Sequence, residues 1–368
     1  MRSFGLFFAS VPDPRAANAR HDLAELLFIS FAAVLCGAEN CQDMADFGAD
    51  RAASLRKVLR LRGGIPSHDT FSRVFRLLDP VAFEAAFRRF MAAFAAHLSG
   101  QVGLAGQTIA IDGKSLSGAF AAGARSSPLH LVTAWATEHR LVLGQCVAPG
   151  RNEVEGALNL VALLDLEAAT VTADALHGNR KMAEAIRARG GDYVLAVKGN
   201  RGPLYGAAKV LLAEAPVGAR QVEPKPGHAR HEERQVCVVP VPPDWADQYK
   251  FKDLAAVARI DAIRRIGSTE TSQSRFFLLS RVLDPEQVLR TVRAHWGIEN
   301  RQHWVLDVVF DEDHARARKD NAGQNLAILR RLVLSLLQHD TRKMAIRRKI
   351  KRAGWSEAQL FTLLSQMR

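Results

Sequence analysis

The fold is decided by the stretch Thr108-Ile109-Ala110-Ile111-Asp112-Gly113-Lys114-Ser115. Small and β-branched apolar residues lead into one aspartate, and a glycine follows at once. This pattern predicts a buried strand that delivers a carboxylate into a cleft. Because an Asp-Gly pair after a strand is by itself more often a turn, Asp112 needs acidic partners before a site is favoured.

Two further acids supply such partners. The run Ala169 to Gly178 has the same pattern and places Asp174 after an apolar strand. Glu299 lies in a predicted helix, on a broad face that also carries His295 and His303. A carboxylate on that face either pairs with a buried histidine or belongs to a functional site, in which a histidine can orient it.

These acids are of the type that two-metal phosphoryl transfer requires. Divalent cations about 3.5–4 Å apart need hard oxygen ligands, and carboxylates from distant parts of the chain can supply them. The sequence therefore predicts that Asp112, Asp174 and Glu299 bind metal and catalyse the reaction. Asp307, two turns after Glu299, is an alternative third acid, and the nearby Asp311, Glu312 and Asp313 also compete for this role.

Composition favours a polyanionic partner. The chain has 368 residues and a formal net charge of +12, so nucleic acid is the leading candidate, and a merely basic protein is the alternative. Its four cysteines are too few for a disulfide framework, which fits a reducing cytosol. No zinc spacing or signal peptide is recognised, and the apolar run Leu23 to Leu35 is too short to cross a bilayer.

The first hundred residues are predicted to be helical. Residues 1 to about 20 are expected to form an irregular arm, and Asp22 is expected to cap the first helix. Further helices are predicted at Cys41 to Phe47 and beyond, Ala52 to Leu61, Ser67 to Leu78 and Val81 to Leu98. The arginines of this region either contact phosphates or form a solvated basic face; they are Arg51, Arg56, Arg60, Arg62, Arg73, Arg76, Arg88 and Arg89.

From Thr108 onward strands dominate. Three strands with short links predict an antiparallel meander, and the order β-β-β-α-β-α-β then follows, with acids after the first and fourth strands. This order indicates a ribonuclease-H-like mixed sheet of the α/β class, with a β-rich insertion at about 201–283. The predicted domains are a helical DNA-binding region (1–104), a catalytic domain (105–315) and a basic helical segment (316–368).

Several motifs resemble those of bacterial insertion-sequence transposases of the H-repeat-associated group, within the DDE superfamily. The resemblance runs over nearly the whole chain. The most specific of these motifs lie near the two ends of the similar region, and shorter motifs lie between them. The motifs are Gly63-Gly64-Ile65-Pro66-Ser67-His68-Asp69-Thr70-Phe71, Ala110-Ile111-Asp112-Gly113-Lys114, Asn152-Glu153, Thr172-Ala173-Asp174-Ala175, Tyr193-Val194-Leu195-Ala196-Val197-Lys198-Gly199-Asn200, His295-Trp296-Gly297-Ile298-Glu299-Asn300 and His303-Trp304-Val305-Leu306-Asp307-Val308.

The resemblance implies a transposase that binds terminal inverted repeats, cleaves a DNA strand and transfers it to target DNA. It implies Asp112, Asp174 and Glu299 as the triad that binds two Mg²⁺ ions, for which Mn²⁺ can substitute. A homodimer in the synaptic complex and a bacterial cytoplasmic location are also expected. The alternatives are a transposase-derived protein that binds DNA without cutting it, and a ribonuclease-H-like nuclease without strand transfer.

A set of polar and aromatic residues around the triad is predicted to contact DNA. Each has a plainer alternative: a solvated loop for the lysines, and the core for Trp296 and Trp304, which could otherwise stack on a base. Glu153 is interpreted as a helix cap or an extra acid, with the cap favoured. The predicted DNA contacts are Lys114, Lys198, Asn200, Arg293, His295, Trp296, Asn300 and Arg301.

Overall fold

The computed structural model of the chain describes residues 2–99, 104–120, 127–199, 202–225, 230–266 and 268–367. A nine-stranded sheet in the order β3-β2-β1-β4-β5-β9-β8-β7-β6 forms its centre. The strands are β1 (Thr108–Phe120), β2 (Pro128–Ala136), β3 (Leu141–Val147), β4 (Thr170–Ala173), β5 (Asp192–Val197), β6 (Ala219–Lys225), β7 (Arg230–Pro240), β8 (Ala256–Ile266) and β9 (Thr269–Leu279).

Helices precede the sheet, connect its strands and follow it. The first group is α1 (Arg2–Phe8), α2 (Leu23–Leu35), α3 (Cys41–Asp50), α4 (Ala52–Leu55), α5 (His68–Leu77) and α6 (Pro80–Ser99). The connecting helices are α7 (Glu153–Ala162), α8 (Arg180–Ala188), α9 (Gly202–Leu211) and α10 (Trp245–Tyr249). The last group is α11 (Pro285–Ile298), α12 (Trp304–Val308), α13 (Ala322–His339), α14 (Ile346–Trp355) and α15 (Glu357–Ser365).

The first five strands have the predicted connectivity. Strands β1, β2 and β3 form an antiparallel meander, and β4 and β5 run parallel to β1. The parallel strands are joined through α7 and α8, as parallel neighbours require a crossover. The prediction of a ribonuclease-H-like mixed sheet is therefore confirmed.

The β-rich insertion continues this sheet. Strand β9 pairs antiparallel with β5, with Val194 opposite Leu279, and β8, β7 and β6 follow outward. Strand β6 is missing from the sequence-based prediction, and β7 and β9 begin earlier than expected, at Arg230 and Thr269. The reason is that Val222 of β6 is 54% exposed and residues 269–274 of β9 are all exposed, so no apolar face marks these segments.

The first part of the N-terminal arm, Arg2–Phe8, is helix α1, which corrects the prediction of an irregular segment there; residues 9–22 are irregular as predicted. Phe4 and Phe8, one turn apart on α1, are buried, and the Phe4 ring contacts Phe28 and Phe90. Helix α1 has only seven residues, too few for a helical period to stand out in the sequence. Helix α4 is shorter than predicted. It ends at Leu55, and farther along the backbone is left-handed at Leu61, whose φ is +46°.

Helix α13 joins the N-terminal helices to the sheet. It packs against α2, α5, α6 and β3, and one apolar cluster extends through all of these elements. Asn325 of α13 is fully buried, and its side-chain amide donates hydrogen bonds to the carbonyls of Phe75 (2.8 Å) and Leu78 (3.0 Å). Among the described helices, none has both the length and the hydropathy needed to cross a membrane.

The start of α11 confirms the capping signal in the sequence. The Asp284 carboxylate accepts a hydrogen bond from the Gln287 backbone N–H at 2.8 Å, and the Gln287 side chain accepts one from the Asp284 backbone N–H. Pro285 occupies the first helical position, where its missing N–H costs nothing. This cap fixes where the helix that leads to Glu299 begins.

Replacing Asp284 by Ala is expected to lower the free energy of unfolding by about 1 kcal/mol, because the first turn loses its acceptor. Urea denaturation measures this. The matched control is Glu286→Ala, which removes only an exposed pair with Arg290 (3.5 Å) and should cost no more than about 0.5 kcal/mol. Equal losses in the two variants would contradict a specific role for the cap.

Candidate active site

Asp112 and Asp174 lie side by side on neighbouring parallel strands. Ile111 of β1 pairs with Ala173, the last residue of β4, and Asp174 directly follows β4. Asp112 lies within β1, which continues to Phe120, so the prediction that the first strand ends at this aspartate is wrong. The Asp174 carboxylate accepts hydrogen bonds from the backbone N–H groups of Leu176 (2.9 Å) and His177 (3.3 Å), so it is oriented by its own turn. The sheet therefore brings together two carboxylates that are distant in sequence.

Glu299 approaches from the helix side. Helix α11 packs against β1 and β4, and Gly297 permits a close approach, because a Cβ there would lie 2.7 Å from the Trp135 ring. The α-helix ends at Ile298, and residues Glu299–His303 form one π-helical turn before α12. Single π-helical turns inside helices are frequent at functional sites. The sequence predicted Glu299 on a helix but not this change of helical geometry.

Asp112 is the electrostatic centre of the group. Burial raises the pKa of its carboxyl to about 7, and the carboxylates of Glu299, Glu153 and Asp174 contribute to the rise. Carboxylates that disfavour each other's charge are oxygen donors suited to Mg²⁺ or Mn²⁺, whose positive charge would offset the repulsion. In the described part of the chain, no three His, Cys, Asp or Glu side chains already form a metal-binding group, so the acids would have to close further on an ion.

Glu153 is not the cap of α7. Asn152 takes that role by accepting a hydrogen bond from the Glu155 backbone N–H. The Glu153 carboxylate instead accepts hydrogen bonds from His130 Nε2 at 2.6 Å and His177 Nε2 at 2.9 Å. These two hydrogen bonds lower the pKa of Glu153 to about 2. Sequence reasoning favoured the cap because a glutamate in a first turn is common, and it did not identify either histidine.

Two histidines of the Glu299 segment face the aspartates. His303 Nδ1 lies 3.4 Å from Asp112 Oδ2, and His295 hydrogen-bonds the backbone of Thr172, two residues before Asp174. Burial lowers the pKa of His295 to about 4 and that of His303 to about 3, so both rings are neutral near pH 7. A neutral imidazole beside a carboxylate can orient it without neutralising it.

Lys114, two residues after Asp112, forms an ion pair with Asp307. Lys114 Nζ lies 2.5 Å from Asp307 Oδ1 and 3.1 Å from Asp313 Oδ1, and its side chain is only 6% exposed. The predicted contact of Lys114 with a phosphate would have to displace these carboxylates. Asp307 is turned toward Lys114, which leaves Glu299 as the acid that acts electrostatically on Asp112.

The other predicted DNA contacts are spread around the site. Lys198 is exposed just after β5, and Asn200 lies outside the described residues. Arg293 donates to Gln221 Oε1 at 2.8 Å, Asn300 donates to the Trp296 carbonyl at 3.1 Å, and Arg301 is exposed. Neither tryptophan is in the core, since Trp296 is 38% and Trp304 56% exposed; the Arg275 guanidinium lies 4.6 Å from the Trp296 ring centroid.

A basic groove lies beside Glu299. It has a volume of about 1370 Å³ between strands β6 to β9 and helix α11, and Trp296 and Asn300 line it. Its charged side chains are four glutamates (Glu138, Glu232, Glu233 and Glu286) and seven arginines (Arg220, Arg234, Arg264, Arg275, Arg290, Arg293 and Arg301). The sequence did not reveal the groove, because most of these arginines are scattered over strands that meet only in the folded sheet.

Two protein families match most of the chain. The family described as Transposase DDE domain matches residues 104–336, and the family described as DDE_Tnp_1-associated matches residues 6–91. The chain belongs to the DDE transposase family. The resemblance predicted from the sequence motifs is thereby confirmed.

Two relatives of this DDE family protein match it over nearly its full length. "Putative transposase YncI" of Escherichia coli O157:H7 is 31% identical over 98% of this chain and 93% of its own. "H repeat-associated putative transposase YhhI" of Escherichia coli strain K12 is 31% identical over 96% of each chain. Among solved structures, the piggyBac transposase synaptic complex with hairpin DNA is matched with a TM-score of 0.43 and 12% identity, over all of this chain and 77% of that one.

Proposed function

We propose that this protein cleaves DNA strands at the terminal inverted repeats of a mobile element and transfers the freed ends to target DNA. The observation that supports the proposal is the register of β1 and β4, in which Asp112 and Asp174 each directly follow one member of the Ile111–Ala173 pair. The effect of Glu299 on the pKa of Asp112 supports it further. This donor set suits Mg²⁺, with Mn²⁺ as a substitute.

The chain's own residues have distinct roles in this proposal. Asp112, Asp174 and Glu299 would hold two divalent ions, and His303 would orient Asp112. When bound, two such metal ions supply an activated oxygen nucleophile and stabilise the leaving oxygen of an in-line displacement at phosphorus. The three carboxylates transfer no proton in this scheme. They balance the positive charge of the metal ions and hold the ions in position.

The groove is the proposed path of the duplex. Three of its arginines are paired with glutamates, Arg220 with Glu233, Arg234 with Glu232 and Arg290 with Glu286. Arg264 and Arg301 are exposed, and Trp296 presents part of its ring to the same space. Cations that line a channel and an exposed aromatic ring are the elements that contact phosphates and unstacked bases.

The N-terminal helices offer a second set of cations. Arg51 donates to the Gly354 carbonyl, Arg76 pairs with Asp320 and Arg88 with Glu84, so these three serve the fold. Arg89 is exposed and donates to the Ser10 hydroxyl at 2.7 Å. The other exposed arginines of the predicted set, which we propose to contact DNA phosphates, are Arg56, Arg60, Arg62 and Arg73. The expected setting is the bacterial cytoplasm, with a homodimer joining the two element ends.

The double substitution Arg264→Ala/Arg301→Ala is expected to weaken DNA binding and its dependence on salt. If each guanidinium contacts one phosphate, the slope of log K against log[salt] should fall by about 2, since one neutralised phosphate contributes roughly 0.9. Fluorescence anisotropy at several KCl concentrations measures the slope. Lys181→Ala, which changes an exposed cation of α8 that does not line the groove, is the matched control. An unchanged slope in the double variant would exclude the groove.

The function is tested with a supercoiled plasmid that carries the gene between its native flanking segments. The protein is incubated with it and with a target plasmid in MgCl₂, and strand breaks and joined products are mapped by sequencing. A plasmid with scrambled flanks is the control. Breaks at the flanks followed by joining are expected. Binding without breaks would favour the DNA-binding alternative, and breaks without joining would favour a nuclease.

A further inference from the structure

Glu153 connects the two segments that carry the aspartates. We propose that Glu153, His130 and His177 form a bridge that sets the separation of Asp112 and Asp174, which makes Glu153 a positioning residue. The inference rests on the proposed function, because the separation matters for holding metal. The sequence left Glu153 open as an extra acid but predicted no role for His130 or His177.

The Glu153 carboxylate of the bridge packs against β1 at Gly113, directly after Asp112. A Cβ at this position would lie 2.3 Å from the Glu153 carboxylate, so the glycine allows the carboxylate to rest against the strand. His130 of β2 is the register partner of Ser115, and its Nδ1 lies 2.8 Å from the Ser115 hydroxyl. Glu153 thus touches the Asp112 strand directly and, through His130, two residues farther along.

The bridge contacts the turn after Asp174 through His177. The His177 side chain is fully buried, and its Nε2 hydrogen-bonds Glu153 while its backbone N–H donates to Asp174 Oδ1. The next residue, Gly178, packs on β5, where a Cβ would lie 2.0 Å from the Ala196 carbonyl oxygen. A movement of Glu153 would therefore move His177, and the turn that orients Asp174 would follow.

The proton pattern of the bridge is set by its acceptor. An ionised carboxylate only accepts, so both imidazoles carry their proton on Nε2. His130 Nδ1 then accepts from the Ser115 hydroxyl. A glutamine could replace the glutamate in this pattern: its carbonyl would accept from His177, and its amide would donate to His130 once the His130 proton moves to Nδ1 and toward Ser115 Oγ.

Replacing Glu153 by Gln therefore tests whether Glu153 acts by positioning its neighbours or by its negative charge. Glu153→Gln should keep cleavage and the Mn²⁺ requirement within a few-fold of the parent. Glu153→Ala should raise the Mn²⁺ concentration for half-maximal cleavage by roughly 10- to 100-fold, the range seen when groups that orient metal ligands are removed. Affinity for DNA in EDTA should be unchanged in both. Gly113→Ala, which pushes the carboxylate away without removing it, should resemble Glu153→Ala.

Crystal structures of the metal-free parent and Glu153→Ala complete the test, with Gly113→Ala used if the first variant does not fold. The expected result is an altered distance between the carboxyl groups of Asp112 and Asp174. An unchanged distance overturns the inference, and so does a Glu153→Gln variant as impaired as Glu153→Ala, which would indicate a charged ligand. A parent protein that does not cleave DNA would instead overturn the proposed function and leave the structural comparison valid.

Discussion

Asp112→Asn, Asp174→Asn and Glu299→Gln are each expected to reduce the rate of Mg²⁺-dependent strand cleavage by about 10³-fold or more. Each change keeps the size of the side chain but removes a negative charge from the metal ligands. A factor of 10³ corresponds to about 4 kcal/mol of lost transition-state stabilisation. Single-turnover cleavage of a labelled element end in MgCl₂ measures the rate.

Asp307→Asn is the matched control for this series. Asp307 is also an acid of the segment after α11, but it pairs with Lys114, which keeps Asp313 as a second partner. Its amide variant should retain cleavage within about 10-fold, because a half-buried pair behind the site contributes far less than a metal ligand. A large loss in Asp307→Asn together with an active Glu299→Gln would exchange the roles of the two acids.

Removing Glu312 is expected to destabilise the whole chain by about 3–5 kcal/mol, because it leaves a buried guanidinium without its counter-charge. Arg331 Nη1 lies 2.8 Å from Glu312 Oε1, and both side chains are 0% exposed. The pair ties the short turn after α12 to the centre of α13, so the segment that follows Glu299 depends on it. Guanidinium chloride unfolding of Glu312→Ala measures the loss.

The double variant Glu312→Leu/Arg331→Met separates the charge effect from packing. With both charges gone, the free energy of unfolding should return to within about 2 kcal/mol of the parent, since apolar replacements of buried pairs are often neutral or stabilising. A double variant as unstable as Glu312→Ala would show that the shape of the pair matters more than its charge. A cost below about 1 kcal/mol in Glu312→Ala would contradict the burial seen here.

The sequence was sufficient where the signal is local. The Asp284 cap, the apolar run before Asp112 and the strand before Asp174 all depend on neighbours within a few residues, and each element is present. The pairing of β5 with β9 could not be predicted in this way. Val194 and Leu279 pair across a segment that contains strands β6, β7 and β8, and exposed residues in β9 hide its period.

The candidate site shows the same division. Acids that follow an apolar strand segment are recognisable from sequence, whereas the continuation of β1 beyond Asp112 and the environment of Lys114 and Glu153 are not. Lys114 is paired with acids 193 and 199 residues later, and Glu153 with histidines 23 residues before and 24 after it. The one local signal was Gly113: a glycine inside a strand marks the close approach of another group, here the Glu153 carboxylate.

The most direct test of the central claim is a crystal structure of the protein soaked in MnCl₂, with the ions located by anomalous scattering. We expect Mn²⁺ to be held by carboxylate oxygens of Asp112, Asp174 and Glu299. Mn²⁺ held by other residues, or a Glu299 side chain turned away while Asp307 takes its place, would contradict it.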